Sequence, residues 1–102
     1  MAITCFLRYE IDPARIQEFE HYARLWIGLV NRLGGKHHGY LLPSESASDV
    51  ALASFTFPSL GAYEVYRQKA ADDPECQAAL AYAKETGCIR RWERSFFRPV
   101  FE

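Results

Sequence analysis

Long apolar runs are missing from this 102-residue sequence, and none approaches the ~20 residues needed to cross a bilayer. A charge excess is missing as well. Twelve Lys and Arg stand against 13 Asp and Glu, for a formal charge of -1 and a pI near 6.3. Such a balance offers no broad positive field for nucleic acid or an anionic membrane, and neither is expected as a partner. Cysteine is scarce: Cys5, Cys76 and Cys88 are odd in number and lack C-x-x-C spacing. That excludes a disulfide framework and a thiolate zinc site, and the three read as buried reduced thiols acting as small hydrophobes. There is no G-x-S-x-G elbow and no glycine-rich phosphate loop. The segment from Met1 to Arg8 lacks a basic leader and meets a charge early, so a cytoplasmic protein without a signal peptide is expected.

What is present is globular. Hydrophobic residues make up 49%, aromatic residues 15% and charged residues 25%, too apolar for a disordered chain. The length suits one domain, residues 1–102. Size scaling gives roughly 5,900 Å² of folded surface, enough burial for one core.

The order of elements follows from periodicity and caps. Ile3, Cys5, Leu7, Tyr9 and Ile11 alternate with polar residues and Phe6 as a strand does. Asp12-Pro13 then starts a helix, with Asp12 accepting from free first-turn amides and Pro13 at a position that needs no donor. Ile16, Phe19, Ala23, Trp26, Val30 and Leu33 form its stripe, widened by Tyr22, Leu25 and Leu29, so this helix should touch more than one neighbour. Gly34-Gly35 stops it. Strands are expected over 36–42 and 50–57, the latter apolar on both faces and so central. Ser59 caps a second helix carrying Leu60, Tyr63, Tyr66 and Ala70. Asp73-Pro74 restarts a short third helix over 74–85, and 88–100 is the last strand. The order is β-α-β-β-α-(α)-β, an α+β, ferredoxin-like arrangement with helices on one side of an antiparallel sheet.

The face away from the helices carries apolar groups too. Phe6 stands opposite Leu7 and Tyr9, Leu52 opposite Phe55, and Trp92 and Phe96 opposite Ile89 and Phe97. Burying three aromatics is worth on the order of 10 kcal/mol gross. The expected cover is a second copy, in a two-fold homodimer with sheet facing sheet. The closing Ser-Phe-Phe-Arg-Pro-Val-Phe is placed to cross to the partner's edge strand.

Three stretches in order carry a family resemblance. They are Leu7-Arg8-Tyr9 with Asp12-Pro13, then the run from Phe57-Pro58-Ser59 through Tyr63 and Tyr66-Arg67 to Asp73-Pro74-Glu75, and the closing Glu93-Arg94-Ser95-Phe96-Phe97-Arg98-Pro99. Nearly the whole chain resembles a NIPSNAP domain of the dimeric α/β-barrel superfamily. The resemblance implies a dimeric barrel around a shared or paired cavity. It delivers no activity, since relatives in the wider superfamily include cofactor-free monooxygenases, isomerases and haem enzymes.

His37-His38-Gly39-Tyr40 is the cluster best suited to acid-base chemistry. Strand neighbours point to opposite faces, so one histidine at most enters a cavity; if His38 does, Tyr40 joins it. Gly39 reads as a bulge in preference to a close backbone approach. Adjacent histidines with opposed directions are a poor start for a metal site, and one histidine is a weak signal for haem, so neither metal nor cofactor is expected. Arg8, Arg90, Arg91, Arg94 and Arg98 gather on the first and last strands. Arg8 is the candidate anchor for a carboxylate, against the plainer reading of cross-strand pairing with Glu10 and Glu93. Phe6, Tyr9, Tyr63, Tyr66 and Trp92 are the candidate pocket wall, or ordinary core. The leading expectation is a homodimeric barrel binding a small aromatic or carboxylated molecule between sheet and helices. The alternatives are a cofactor-independent monooxygenase or isomerase acting on a small aromatic or lactone, using His38 or His37 with Tyr40, and a non-catalytic protein-interaction module.

Overall fold

Strand β1, Ile3–Ile11, buries every second residue from Cys5 to Ile11 and leaves those between half-exposed. A sheet covered on one face produces that alternation. The computed structural model describes residues 1–101. Asp12 accepts the Ala14 amide at 2.9 Å, and Pro13 opens a 3-10 turn, Pro13–Arg15, leading into helix α1, Ile16–Arg32. Strand β2, Lys36–Leu41, and strand β3, Val50–Phe57, follow. Ser59 then accepts the Ala62 amide at 3.0 Å to start helix α2, Leu60–Asp72. Asp73 accepts the Glu75 and Cys76 amides at 2.9 and 3.1 Å to start helix α3, Pro74–Thr86, before strand β4, Ile89–Phe97. The third helix runs one residue beyond the expected 74–85, and α2 and α3 have 13 residues each.

The sheet order is β2-β3-β1-β4 with every neighbouring pair antiparallel, the ferredoxin-like arrangement. All three helices lie on one face. The broad stripe of α1 is divided between two partners. Phe19, Tyr22 and Val30 pack with the sheet residues Tyr9, Phe55 and Phe57. Leu29 instead forms a second cluster with Cys76 and Ala79 of α3. The two glycines after α1 serve different ends. Gly34 takes φ +106°, and at Gly35 a Cβ would lie 2.7 Å from Phe57 and 2.8 Å from Val30. Gly34 therefore turns the chain, while Gly35 lets it press against the core.

Two bulges overturn part of the face assignment. Between Glu10 and Ile11 the pairing with β4 slips, so Tyr9 opposes Trp92 but Ile11 opposes Ile89. Trp92 and Phe96 therefore share the helix side with Ile89, and Phe97 is on the open side, against Phe6 at 6.2 Å. The ring of Phe96 lies 5.0 Å from that of Tyr63 on α2, which fixes its side. The second slip, between His37 and Tyr40, is at Gly39, where φ is +97°. Residues 98–101 turn back over their own sheet, and Phe101 reaches the His38 ring at 5.6 Å.

The result is a slab of 39 × 35 × 18 Å. Its 6506 Å² of accessible surface exceeds the roughly 5,900 Å² that its mass requires. No helix among the described residues is long and apolar enough to cross a membrane.

Candidate functional site

Between the sheet and the helices lies a half-open cavity of about 290 Å³. Its floor comes from the buried register of the central strands: Leu7 and Tyr9 on β1 and Phe55 on β3. Its walls are Tyr22 and Trp26 on α1 and Tyr63 and Tyr66 on α2. A second space of about 280 Å³ adjoins it, sharing Leu7, Tyr9, Tyr22, Leu80 and Arg94 and adding Trp92 and Lys84. Leu80 of α3 is exposed because it borders this hollow.

The expected site residues divide between the two faces of the sheet. Tyr9, Tyr40, Tyr63 and Tyr66 line the first cavity and Trp92 the second. Phe6 and Arg8 lie on the open face. Arg8 sits 3.9 Å from Glu10, which in turn accepts from Arg91 at 2.6 Å, while Arg91 also reaches Glu93 at 2.7 Å. Arg90 lies 3.7 Å from Asp12. Arg91–Glu10 is the cross-strand pair expected; Arg8 lies beside Glu10 on its own strand, Arg90 lies beside the Asp12 cap, and Arg8 points away from the cavity.

The bulge at Gly39 reverses the expected histidine pairing. His37 and Tyr40, three apart in sequence, share the helix side, their rings stacked at 5.0 Å and 16°. His38 is on the open face, its Nε2 2.6 Å from the Thr56 hydroxyl, which lies 2.7 Å from that of Thr4. His37 sits behind Tyr40 and Phe55, and its Nδ1 accepts the Gly39 amide at 2.9 Å. Burial, with the nearby His38 adding to it, pulls the His37 ring down to about 4, so it is neutral at physiological pH and a weak base.

Two arginines face the hollow: Arg94, one of the five gathered on the first and last strands, and Arg67, which was not among the candidates. Arg94 is on the helix side because it shares the parity of Trp92, opposite Leu7. Arg67 follows Tyr63 by one helical turn and donates to its hydroxyl at 3.0 Å. Among the described residues no carboxylate lies within ion-pair distance of either, and none lines either space. Burial pushes the Tyr22 hydroxyl up to about 12 and raises Tyr9, Tyr40 and Tyr66 as well. Burial also raises the Cys5 thiol to about 11, against the pull of Arg94. These groups stay protonated at neutral pH, so the cavity presents hydroxyl donors and positive charge over an aromatic wall. Such a lining receives anions and hydrogen-bond acceptors. No group of three or more His, Cys, Asp or Glu able to hold a metal ion occurs among the described residues.

Solved structures share this fold. A NIPSNAP family protein of Agrobacterium tumefaciens aligns with a TM-score of 0.79 at 20% identity, over 98% of this chain and 87% of its own. A second protein of that organism, a NIPSNAP family member of unknown function, gives 0.82 at 16% identity over 99% and 91%. A Nitrosomonas europaea protein provisionally named an antibiotic biosynthesis monooxygenase gives 0.73 at 6% identity over 98% and 91%. No curated protein matches the sequence. The family model described as NIPSNAP matches residues 5–101, and the chain belongs to the NIPSNAP family.

Proposed function

We propose that this NIPSNAP protein binds a small aromatic or carboxylated molecule in the cavity between sheet and helices. One observation carries the reading: Arg67 and Arg94 face an aromatic hollow with no carboxylate to neutralise them. A bound anion would supply the missing partner, and the tyrosines Tyr9, Tyr63 and Tyr66 would cover its rings. The test is a thermal-shift titration with aromatic carboxylates. Stabilisation that grows with concentration is expected, and Arg94→Gln should weaken it about tenfold, the worth of one charge-assisted hydrogen bond. Equal responses in wild type and in Arg67→Gln/Arg94→Gln would remove the arginines from the site.

A second reading draws on the likeness to the Nitrosomonas europaea protein, whose name specifies a monooxygenase. In it the same donors hold a developing oxyanion on a small aromatic or lactone substrate during cofactor-independent oxygenation or isomerisation. Of the three candidate acid-base residues, Tyr40 lines the cavity. Oxygen uptake by the protein with a bound aromatic acid separates this reading from binding alone. We further place the protein in the cytoplasm as a homodimer. Support comes from three buried unpaired thiols and from the apolar groups on the open sheet face.

A further inference from the structure

The two adjoining spaces differ in the cation each one adds. Arg67, from α2, lines only the first, and Lys84, from the last turn of α3, lines only the second. Arg94, from β4, lines both. Five other arginines, Arg8, Arg24, Arg32, Arg90 and Arg91, each have a carboxylate at 3.9 Å or less. Among the described residues Arg67, Arg94 and Lys84 have none, and no Asp or Glu lines either space. Three separate elements thus bring cations to one trough and keep acids out of it, in a chain with 13 acids to 12 bases.

All three side chains are exposed at the rim, so water serves them in the free protein. Their effect is a positive potential focused over apolar walls, which draws anions in and holds them harder where a ring displaces water. Leu80 and Trp92, 48% and 56% exposed, offer a ring such a wall in the second space. One carboxylate answers the two arginines and leaves Lys84 unanswered.

We propose that the trough takes a dianion, an elongated aromatic molecule with an acid at each end, one carboxylate on Arg67 and Arg94 and the other on Lys84. This rests on the cavity reading above and extends it into the adjoining space. The two spaces, about 290 and 280 Å³, share Leu7, Tyr9, Tyr22, Leu80 and Arg94, so one molecule runs from one into the other. The planar arginine forks fix one end, while the flexible lysine stem meets the second acid over a range of lengths. The trough is on the helix side, so a second copy on the open sheet face leaves it accessible.

The test is calorimetric titration with two probes of matched rings, para-linked oxydibenzoate and para-phenoxybenzoate. The first carries an acid on each ring, the second on one ring alone. The diacid should bind wild type about tenfold more tightly, about twofold from its two identical ends and about fivefold from the Lys84 pair. Lys84→Gln should bring that ratio down to about twofold by weakening the diacid, with the monoacid nearly unchanged. Lys84→Glu should invert the preference, the diacid now binding less tightly than the monoacid, because its second acid meets a like charge. Lys84 is exposed and outside the core, so both variants keep the fold. Raising sodium chloride to about 0.5 M should shrink the wild-type ratio toward about twofold and leave that of Lys84→Gln where it was. A wild-type ratio of about twofold or less at low salt would overturn the second anion site while leaving an acid-binding cavity intact. A ratio that stays near tenfold in both Lys84 variants would overturn the assignment to Lys84. Failure of both acids to bind at millimolar concentration would remove the cavity reading itself.

Discussion

At the scale of single residues, His37 shows how a residue type with obvious chemistry can be given over to structure. Its Nδ1 holds the Gly39 amide and its ring is sandwiched by Tyr40 and Phe55. Its buried Nε2 has no partner among the described residues. Protonation would put a charge into that sandwich, so folding favours the neutral ring and pulls it from 6.5 to about 4. The unfolded chain therefore binds the proton more readily. Stability from this source is complete above pH 6.5 and falls away as the pH drops toward 4. The full shift corresponds to about 3 kcal/mol, and partial exposure of the ring brings the expected loss to on the order of 2 kcal/mol. Urea unfolding of wild type and His37→Phe at a series of pH values measures it. The variant should be less stable at neutral pH, by about 1 kcal/mol for the lost amide acceptor, but flatter between pH 6.5 and 4. Parallel curves would show that His37 does not titrate in that window. A histidine in a sequence announces its chemistry; whether backbone donors already occupy its nitrogens depends on a local bulge that composition does not show.

At the scale of elements, the strands and helices were legible because their signals are local. Asp12, Ser59 and Asp73 cap where a short acceptor followed by free amides should cap, and Pro13 and Pro74 open their turns. The face of each side chain was less legible. Counting by twos along a strand assumes that no residue is inserted, and both outer strands carry an insertion relative to their neighbours. The count therefore mispaired His38 with Tyr40, set Trp92 apart from Ile89, and hid Arg94 among arginines taken as one group. Gly39 marks one of those insertions in the sequence itself. Its φ is +97°, and a Cβ at this position would meet no atom within 4 Å, so its requirement is purely one of backbone conformation. Gly39→Ala should therefore destabilise the protein by about 1–3 kcal/mol. Gly28 supplies the opposite case: it lies within α1, with open space around it and no unusual backbone angle. Gly28→Ala should stabilise by about 1 kcal/mol. Thermal melts of the two variants should move in opposite directions from wild type, and a shift of the same sign in both would refute the assignment of Gly39 to the bulge.

At the scale of the whole molecule, the two faces of the sheet are unequal in what they leave unfinished. The helix side closes over its core and keeps a hollow. The open side presents Leu41, Phe97 and Phe101 at 68%, 55% and 71% exposure, with Phe6 and Leu52 between them. Charged neighbours dilute this surface, because Arg8, Glu10, Arg91 and Glu93 occupy one end of it as a paired network. The apolar end, near Phe6 and Phe97, is therefore where a second copy gains most. An isologous contact uses each residue twice. Covering the exposed part of one phenylalanine, roughly 110 Å², is worth about 2–3 kcal/mol, so the two copies of Phe97 together contribute about 5 kcal/mol. Phe97→Glu removes that contribution and sets two carboxylates facing a closed surface. It should raise the dimer dissociation constant by more than about a thousandfold, from a dimer at micromolar protein to a monomer. Because Phe97 is on the face opposite the cavity, the monomeric variant should keep its response to aromatic acids if each subunit holds its own site. Sedimentation velocity across a concentration series reads the first effect and thermal shift the second. A wild-type chain that sediments as a single subunit at micromolar concentration would refute the dimer, and a dimeric Phe97→Glu protein would move the interface elsewhere.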